Sequence, residues 1–198
     1  MALRFFLPIY LVVYDVTLFF WRSRVVRKKT GINPIIFQRP DSLHGYIGRV
    51  SRIVFRVVVL VVLIYSFIPR AYPYLAPVSW LERPWLRSTG VALLIVSLLW
   101  TVSAQVQMGE SWRIGIDTAR KTTLVNSGVY GFSRNPIYVG IMVTQLGMFL
   151  VIPNALTLMI AVVGTVLLNM QVRLEEEYLK STHGEDYVAY TRRVRRWI

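Results

Sequence analysis

Residues 136–170 read PIYVGIMVTQLGMFLVIPNALTLMIAVVGTVLLNM. The stretch holds no charged residue, and only Pro153 and Asn154 separate its two apolar blocks, 137–152 and 155–170. Apolar blocks of this length form helices within a membrane, and a two-residue break between them makes a helical hairpin. Each block rises about 24 Å against a hydrocarbon core of about 30 Å. Both are therefore short. The tip is expected to stay in the outer half of the bilayer, with its backbone groups satisfied by a protein cover.

Working outward, three more apolar blocks precede the hairpin, at about 5–21, 53–68 and 91–108. The expected fold is all-α: one integral membrane domain over residues 1–198, with about five transmembrane helices, the C-terminal hairpin and a polar pocket on the cytoplasmic face. No internal repeat or low-complexity linker divides it, and the turn-rich segment 31–44 reads as a loop. The first block lacks a small-residue cleavage site. Arg22, Arg24, Arg27, Lys28 and Lys29 follow it at once, so it reads as a stop-transfer anchor and not a signal peptide.

The net charge is +13, which in a soluble protein would point to nucleic acid. Here the cations flank apolar spans, where they mark the cytoplasmic side and meet anionic headgroups; nucleic acid is not an expected partner. Segments 22–52, 109–136 and 171–198 carry eight, four and six Lys or Arg, against three in 69–88 and none in the hairpin turn. The N-terminus is expected outside and the C-terminus in the cytoplasm. Asp15 and Arg56 fall within apolar blocks, near enough to the interface to snorkel or pair. There is no cysteine and there are two histidines far apart, which excludes disulfides and thiolate chemistry and leaves no expected metal site.

Polar residues gather in three cytoplasmic groups: Met108–Gly115, Leu124–Gly140 and Arg173–Tyr190. The hairpin returns the third group to the face that holds the second. Pro136 suits a first helical position and Asn135 an N-cap, so a helix start beside Arg134 offers an anion site. Gly140 leaves room for close approach to the first turn. Glu175 and Glu176 offer carboxylates for an ammonium or a proton. Each feature also has a plainer reading: a simple helix start, a solvated charge run, and interfacial tyrosines at Tyr187 and Tyr190. The residues alone describe a polar cytoplasmic site for an unnamed ligand.

The joint pattern resembles the isoprenylcysteine carboxyl methyltransferase and phospholipid methyltransferase superfamily, in its bacterial branch. Leu124, Val125, Gly128, Tyr130, Arg134, Asn135, Pro136, Tyr138 and Gly140 follow the family's first motif, and Glu175, Glu176, Leu179, Gly184, Tyr187 and Tyr190 its tail motif. Ser111–Gly115 adds to the likeness, which covers roughly residues 100–198. The resemblance implies S-adenosylmethionine as cofactor, bound by Arg134, Asn135, Pro136, Ile137, Tyr138, Gly140, Glu175 and Tyr187. It implies Glu176, Arg173 and Arg134 as catalytic residues, Glu176 serving as base for an amine acceptor. It also implies an acceptor drawn from the bilayer, either a lipid amine or a prenylated cysteine carboxylate, and a location in a bacterial inner membrane.

Two positions depart from the family pattern. Asn135 stands where histidine is common, and asparagine cannot titrate. Gln171 stands where some members carry a substrate arginine, leaving Arg173 the nearest arginine. That departure tilts the expected acceptor toward a lipid amine. The alternatives are an NADPH-dependent sterol-type reductase and a non-catalytic membrane scaffold.

Overall fold

A computed structural model describes residues 2–36, 42–115 and 123–198. The part of the expected 31–44 loop that falls on 37–41 lies outside the described residues. The helices are α1 (Ala2–Asp15), α2 (Arg22–Thr30), α3 (Leu43–Phe67), α4 (Pro84–Met108), α5 (Pro136–Val151), α6 (Ala155–His183) and α7 (Glu185–Arg193). Four helical segments are long and apolar enough to cross a membrane, and α5 is a shorter apolar helix beside them.

The first span runs further than its apolar block. A π-helical stretch, Val16–Trp21, joins α1 to α2 without a break in the rod. Arg27, Lys28 and Lys29 in the last turn suit the negative end of the helix dipole. Gly31 then stops the helix at φ +72°, its N–H donating to the Arg27 carbonyl. α3 starts ten residues before its apolar block because the Ser42 hydroxyl accepts from the Gly45 N–H at 3.0 Å.

Only one hairpin arm is short. α5 has 16 residues, but α6 continues through its charged segment to 29, about 43 Å of helix. Arg173, Glu175, Glu176, Glu177 and Lys180 are good helix formers, so the end of apolar sequence is not the end of the helix.

The hairpin tip is covered by protein. Val78 N–H donates to the Pro153 carbonyl at 2.9 Å, and Ala155 N–H donates to the Ala76 carbonyl at 3.1 Å. Asn154 and Thr157 close a reciprocal cap: Thr157 N–H donates to Asn154 Oδ1 at 3.0 Å, and Asn154 N–H to Thr157 Oγ1 at 3.1 Å.

α4 and α5 touch backbone to backbone. A Cβ on Gly90 would stand 2.8 Å from the Gly147 carbonyl oxygen, so this crossing requires glycine. Leu7, Tyr10, Leu18, Val61, Val62, Leu94, Met148 and Val151 fill the core between α1, α3, α4 and α5. Ile9, Val12, Leu99 and Val162 point outward and are more than half exposed, as lipid-facing residues do. The pairing at Pro77 and Asn154 lies at one end of the bundle. The ends of α2, α4 and α6 and the start of α5 lie at the other, where the candidate site is built.

Candidate active site

At the start of α5 the chain folds against its own C-terminus. Arg134 N–H donates to the Arg195 carbonyl at 3.0 Å, and Ser133 Oγ to the Arg196 carbonyl at 3.3 Å. The Arg134 guanidinium spends every nitrogen within the protein. Nε and Nη2 donate to Glu176 Oε1 at 3.2 and 3.0 Å, and Nη1 donates to the Val194 and Thr191 carbonyls at 2.8 and 3.2 Å. Arg196 takes the other oxygen, donating to Glu176 Oε2 from Nε at 3.0 Å and Nη2 at 2.7 Å. That bond holds the Arg196 guanidinium above its ordinary pKa.

Asn135 departs from the expected capping role. It occupies the cap position, yet its side chain makes no cap hydrogen bond. Nδ2 donates instead to Glu176 Oε1 at 3.1 Å and to the Arg196 carbonyl at 3.2 Å. The pull of a carboxylate outweighs a neutral cap bond. Glu176, 9% exposed, is therefore the knot that ties α5, α6 and the tail together.

Glu175, the next residue, faces elsewhere because successive helical residues point about 100° apart. Its Oε2 accepts from the Tyr138 hydroxyl at 2.6 Å. Trp100 Nε1 donates to the Pro136 carbonyl at 2.8 Å, fixing the first turn of α5. Gly140 is filled from α4: a Cβ there would meet Thr101 Oγ1 at 2.0 Å. The close approach at Gly140 is thus that of a neighbouring helix. Ile137 is half-buried beside these residues.

Gly184, at φ +56°, lets α7 turn back from the end of α6. Tyr187 and Tyr190 then pack with Val194 against Leu124 and Leu179, so both tyrosines are interior rather than interfacial. The Tyr190 hydroxyl donates to the Tyr130 carbonyl at 2.6 Å, and burial pushes it up to about 12. Burial also raises Tyr187, with Glu176 adding to the effect. The Tyr187 hydroxyl is buried and makes no hydrogen bond.

An open cleft of about 470 Å³ lies between α6 and α7, walled by Arg134, Arg173, Glu176, Glu177, Lys180 and Tyr187 among others. Of the site residues expected from sequence, Arg134, Arg173, Glu176 and Tyr187 meet on this cleft. Tyr138 and Glu175 pair on another face of α6. Arg196 was missed as a site residue because a basic tail beside a tryptophan reads equally as a lipid anchor. Its contact with Glu176 spans 20 positions and carries no local sequence signal.

The phospholipid methyltransferase family model matches residues 85–186, more than half of the chain, and the chain belongs to that family. Schizosaccharomyces pombe protein-S-isoprenylcysteine O-methyltransferase is 33% identical over 95 residues, which cover 46% of this chain and 40% of the relative. Arabidopsis thaliana protein-S-isoprenylcysteine O-methyltransferase B is 29% identical over 113 residues, covering 56% of this chain and 57% of the relative. The chain thus matches between 40% and 57% of the length of these two relatives. The solved structure of a eukaryotic intramembrane Ras methyltransferase, isoprenylcysteine carboxyl methyltransferase, shares the fold. Its TM-score is 0.59 at 18% identity, over 96% of this chain and 72% of that one.

Proposed function

We propose that this protein transfers a methyl group from S-adenosylmethionine to a lipidated acceptor embedded in the membrane. The reading rests on its membership of the family and, in the structure, on one arrangement: a cleft bounded by the start of α5, the end of α6 and the folded-back tail. The donor set suits the cofactor. Arg173 and Lys180 are cations for its carboxylate, Glu177 is an anion for its ammonium, and Tyr187 is an aromatic with an unspent hydroxyl. A cleft of about 470 Å³ is of the usual size for a small-molecule site. The Asn135–Tyr138 helix start and Glu175 form the adjoining wall. Bound there, S-adenosylmethionine supplies a methyl group already activated by its sulfonium.

The protein's part is to position the reactants and manage charge. Arg134 and Arg196 hold both oxygens of Glu176, so Glu176 fastens the tail and is not a free base. That favours an acceptor with no proton to lose, a carboxylate, over an amine. Calorimetric titration of the purified protein should show binding of S-adenosylmethionine and none of NADPH; the reverse would replace this reading with a reductase. Labelled methyl should pass to a farnesylcysteine analogue and not to phosphatidylethanolamine. Transfer to the lipid alone would make the acceptor an amine.

The orientation follows the same reading, with the cleft on the cytoplasmic side. Single cysteines at Ser42 and Ser79 should label from opposite sides of sealed vesicles. Labelling of both from one side would overturn it.

A further inference from the structure

Arg22 sits where the π-helical stretch meets α2 and is only 4% exposed. Among the described residues the ion pairs are Arg87–Glu82, Arg134–Glu176 and Arg196–Glu176, and none involves Arg22. One nitrogen, Nη2, donates to the Gly109 carbonyl at the end of α4. The guanidinium lies over the Trp112 ring, 5.9 Å from its centroid, and Trp112 is itself 3% exposed. Nε is buried with no acceptor.

One turn back along α4, Gln105 is 5% exposed, and its side-chain oxygen has no donor. Tyr130 stands nearby, its hydroxyl donating to the Ala104 carbonyl at 3.3 Å. Burial raises the Tyr130 hydroxyl; Glu175 adds to that and Arg22 opposes it. Tyr130 therefore lies within electrostatic reach of both Arg22 and the Tyr138–Glu175 pair.

The plain account is that Arg22 caps α4, setting its charge against the negative end of the helix dipole. That explains one donor and leaves the rest. A helix end carries about half a charge, whereas a buried guanidinium carries a full one, and an uncompensated buried charge is costly. Cation–π contact with Trp112 offsets part of that cost but offers nothing to the in-plane Nε–H. An unspent donor and an unspent acceptor are thus buried at one helix end. Beside them, Phe20 and Trp21 are 64% and 45% exposed on the outer face of the rod, where lipid would lie.

We propose that Arg22, with Trp112 as its wall and Gln105 one turn away, forms an anion subsite for a carboxylate or phosphate group of the membrane-embedded acceptor. Arg22 presents Nε to the anionic oxygen while Nη2 keeps its bond to Gly109. Trp112 screens the pair from water, and the acceptor's lipid chain leaves along the Phe20 and Trp21 side. Assigning this anion to the acceptor rests on the methyl-transfer reading; the subsite itself does not.

The test is equilibrium binding to the full-length protein in lipid nanodiscs, without methyl donor. The probes are N-acetyl-S-farnesylcysteine, its carboxamide and short-chain phosphatidylethanolamine. If the anion is a carboxylate, wild type should hold the acid about tenfold or more tightly than the amide, the scale of a charge-assisted hydrogen bond. Arg22→Gln should erase that ratio and leave S-adenosylmethionine affinity unchanged. If the anion is a headgroup phosphate, phosphatidylethanolamine affinity should instead fall about tenfold in Arg22→Gln. Arg22→Lys keeps the charge and should retain part of the preference, which serves should the glutamine variant not fold. An acid-to-amide ratio near one in wild type, with lipid affinity unaffected by either variant, would reduce Arg22 to a cap on α4. So would a ratio that survives Arg22→Gln. Failure of the methyltransferase reading would show separately, as no S-adenosylmethionine binding while the anion preference persists.

Discussion

The two ends of α6 dispose of buried polarity in opposite ways. At its start, Asn154 is fully buried, and its groups bond to Thr157 and Ile152, within three residues in sequence. At its other end Glu175 and Glu176 bond to residues 20 to 42 positions away. The first end is a local device that forms with the helix. The second exists only once α5, α6 and the tail have met. Stability at the first should be modular, whereas at the second it should be shared with function.

The largest effect should come from Glu176→Ala, which strands two guanidiniums. Breaking a buried pair in this way costs about 3–5 kcal/mol. It should lower denaturant resistance in detergent and weaken cofactor binding together. A stable variant with normal affinity would mean that the two ends do not differ. Tyr138→Phe removes one bond to a carboxylate, worth about 1.5–3 kcal/mol. Methyl-transfer kinetics should fall by tenfold or more while the melting temperature barely moves, and the opposite pattern would make Tyr138 a fold residue.

Asn154→Ala should cost about 1–2 kcal/mol of stability through the lost cap and leave S-adenosylmethionine affinity untouched. A change in affinity would show that strain at the tip reaches the site. Smallest is Tyr190→Phe, at about 1 kcal/mol for a single hydrogen bond. The Tyr190 hydroxyl is pushed up to about 12 from an ordinary value near 10. Its folded state favours the neutral form, so its contribution is complete below pH 10 and fades as pH rises toward 12. Wild type and Tyr190→Phe should therefore converge in stability in strong base.

The same contrast explains how much could be read from the sequence. Apolar runs of 16 to 18 residues, the Pro153-Asn154 break, Pro84 and Pro136 at helix starts and Gly31 and Gly184 at helix ends are short-range signals, and they give the bundle and its hairpin. The helix ends at Thr30 and His183 were hidden because hydropathy reports where lipid stops, not where hydrogen bonding stops. At the site, Glu175 and Glu176 read as one acidic patch, and only the geometry sends one to Tyr138 and the other to Arg134 and Arg196. Asn135 looked like a cap by position, and a carboxylate 41 residues away claimed its side chain.

The π-helical stretch at Val16–Trp21 can be viewed as an insertion that the helix absorbed instead of looping out. Each residue advances an α-helix by about 100°, so losing one residue from a stretch like this would turn everything beyond it by about that angle. Arg22 would then leave Gly109 and Trp112 and face the bilayer, while the apolar face of α1 stayed where it is. A single-codon deletion between Val16 and Trp21 would thus separate the anchoring of this rod from the aim of its arginine. Homologues one residue shorter here should carry their buried cation at a different register.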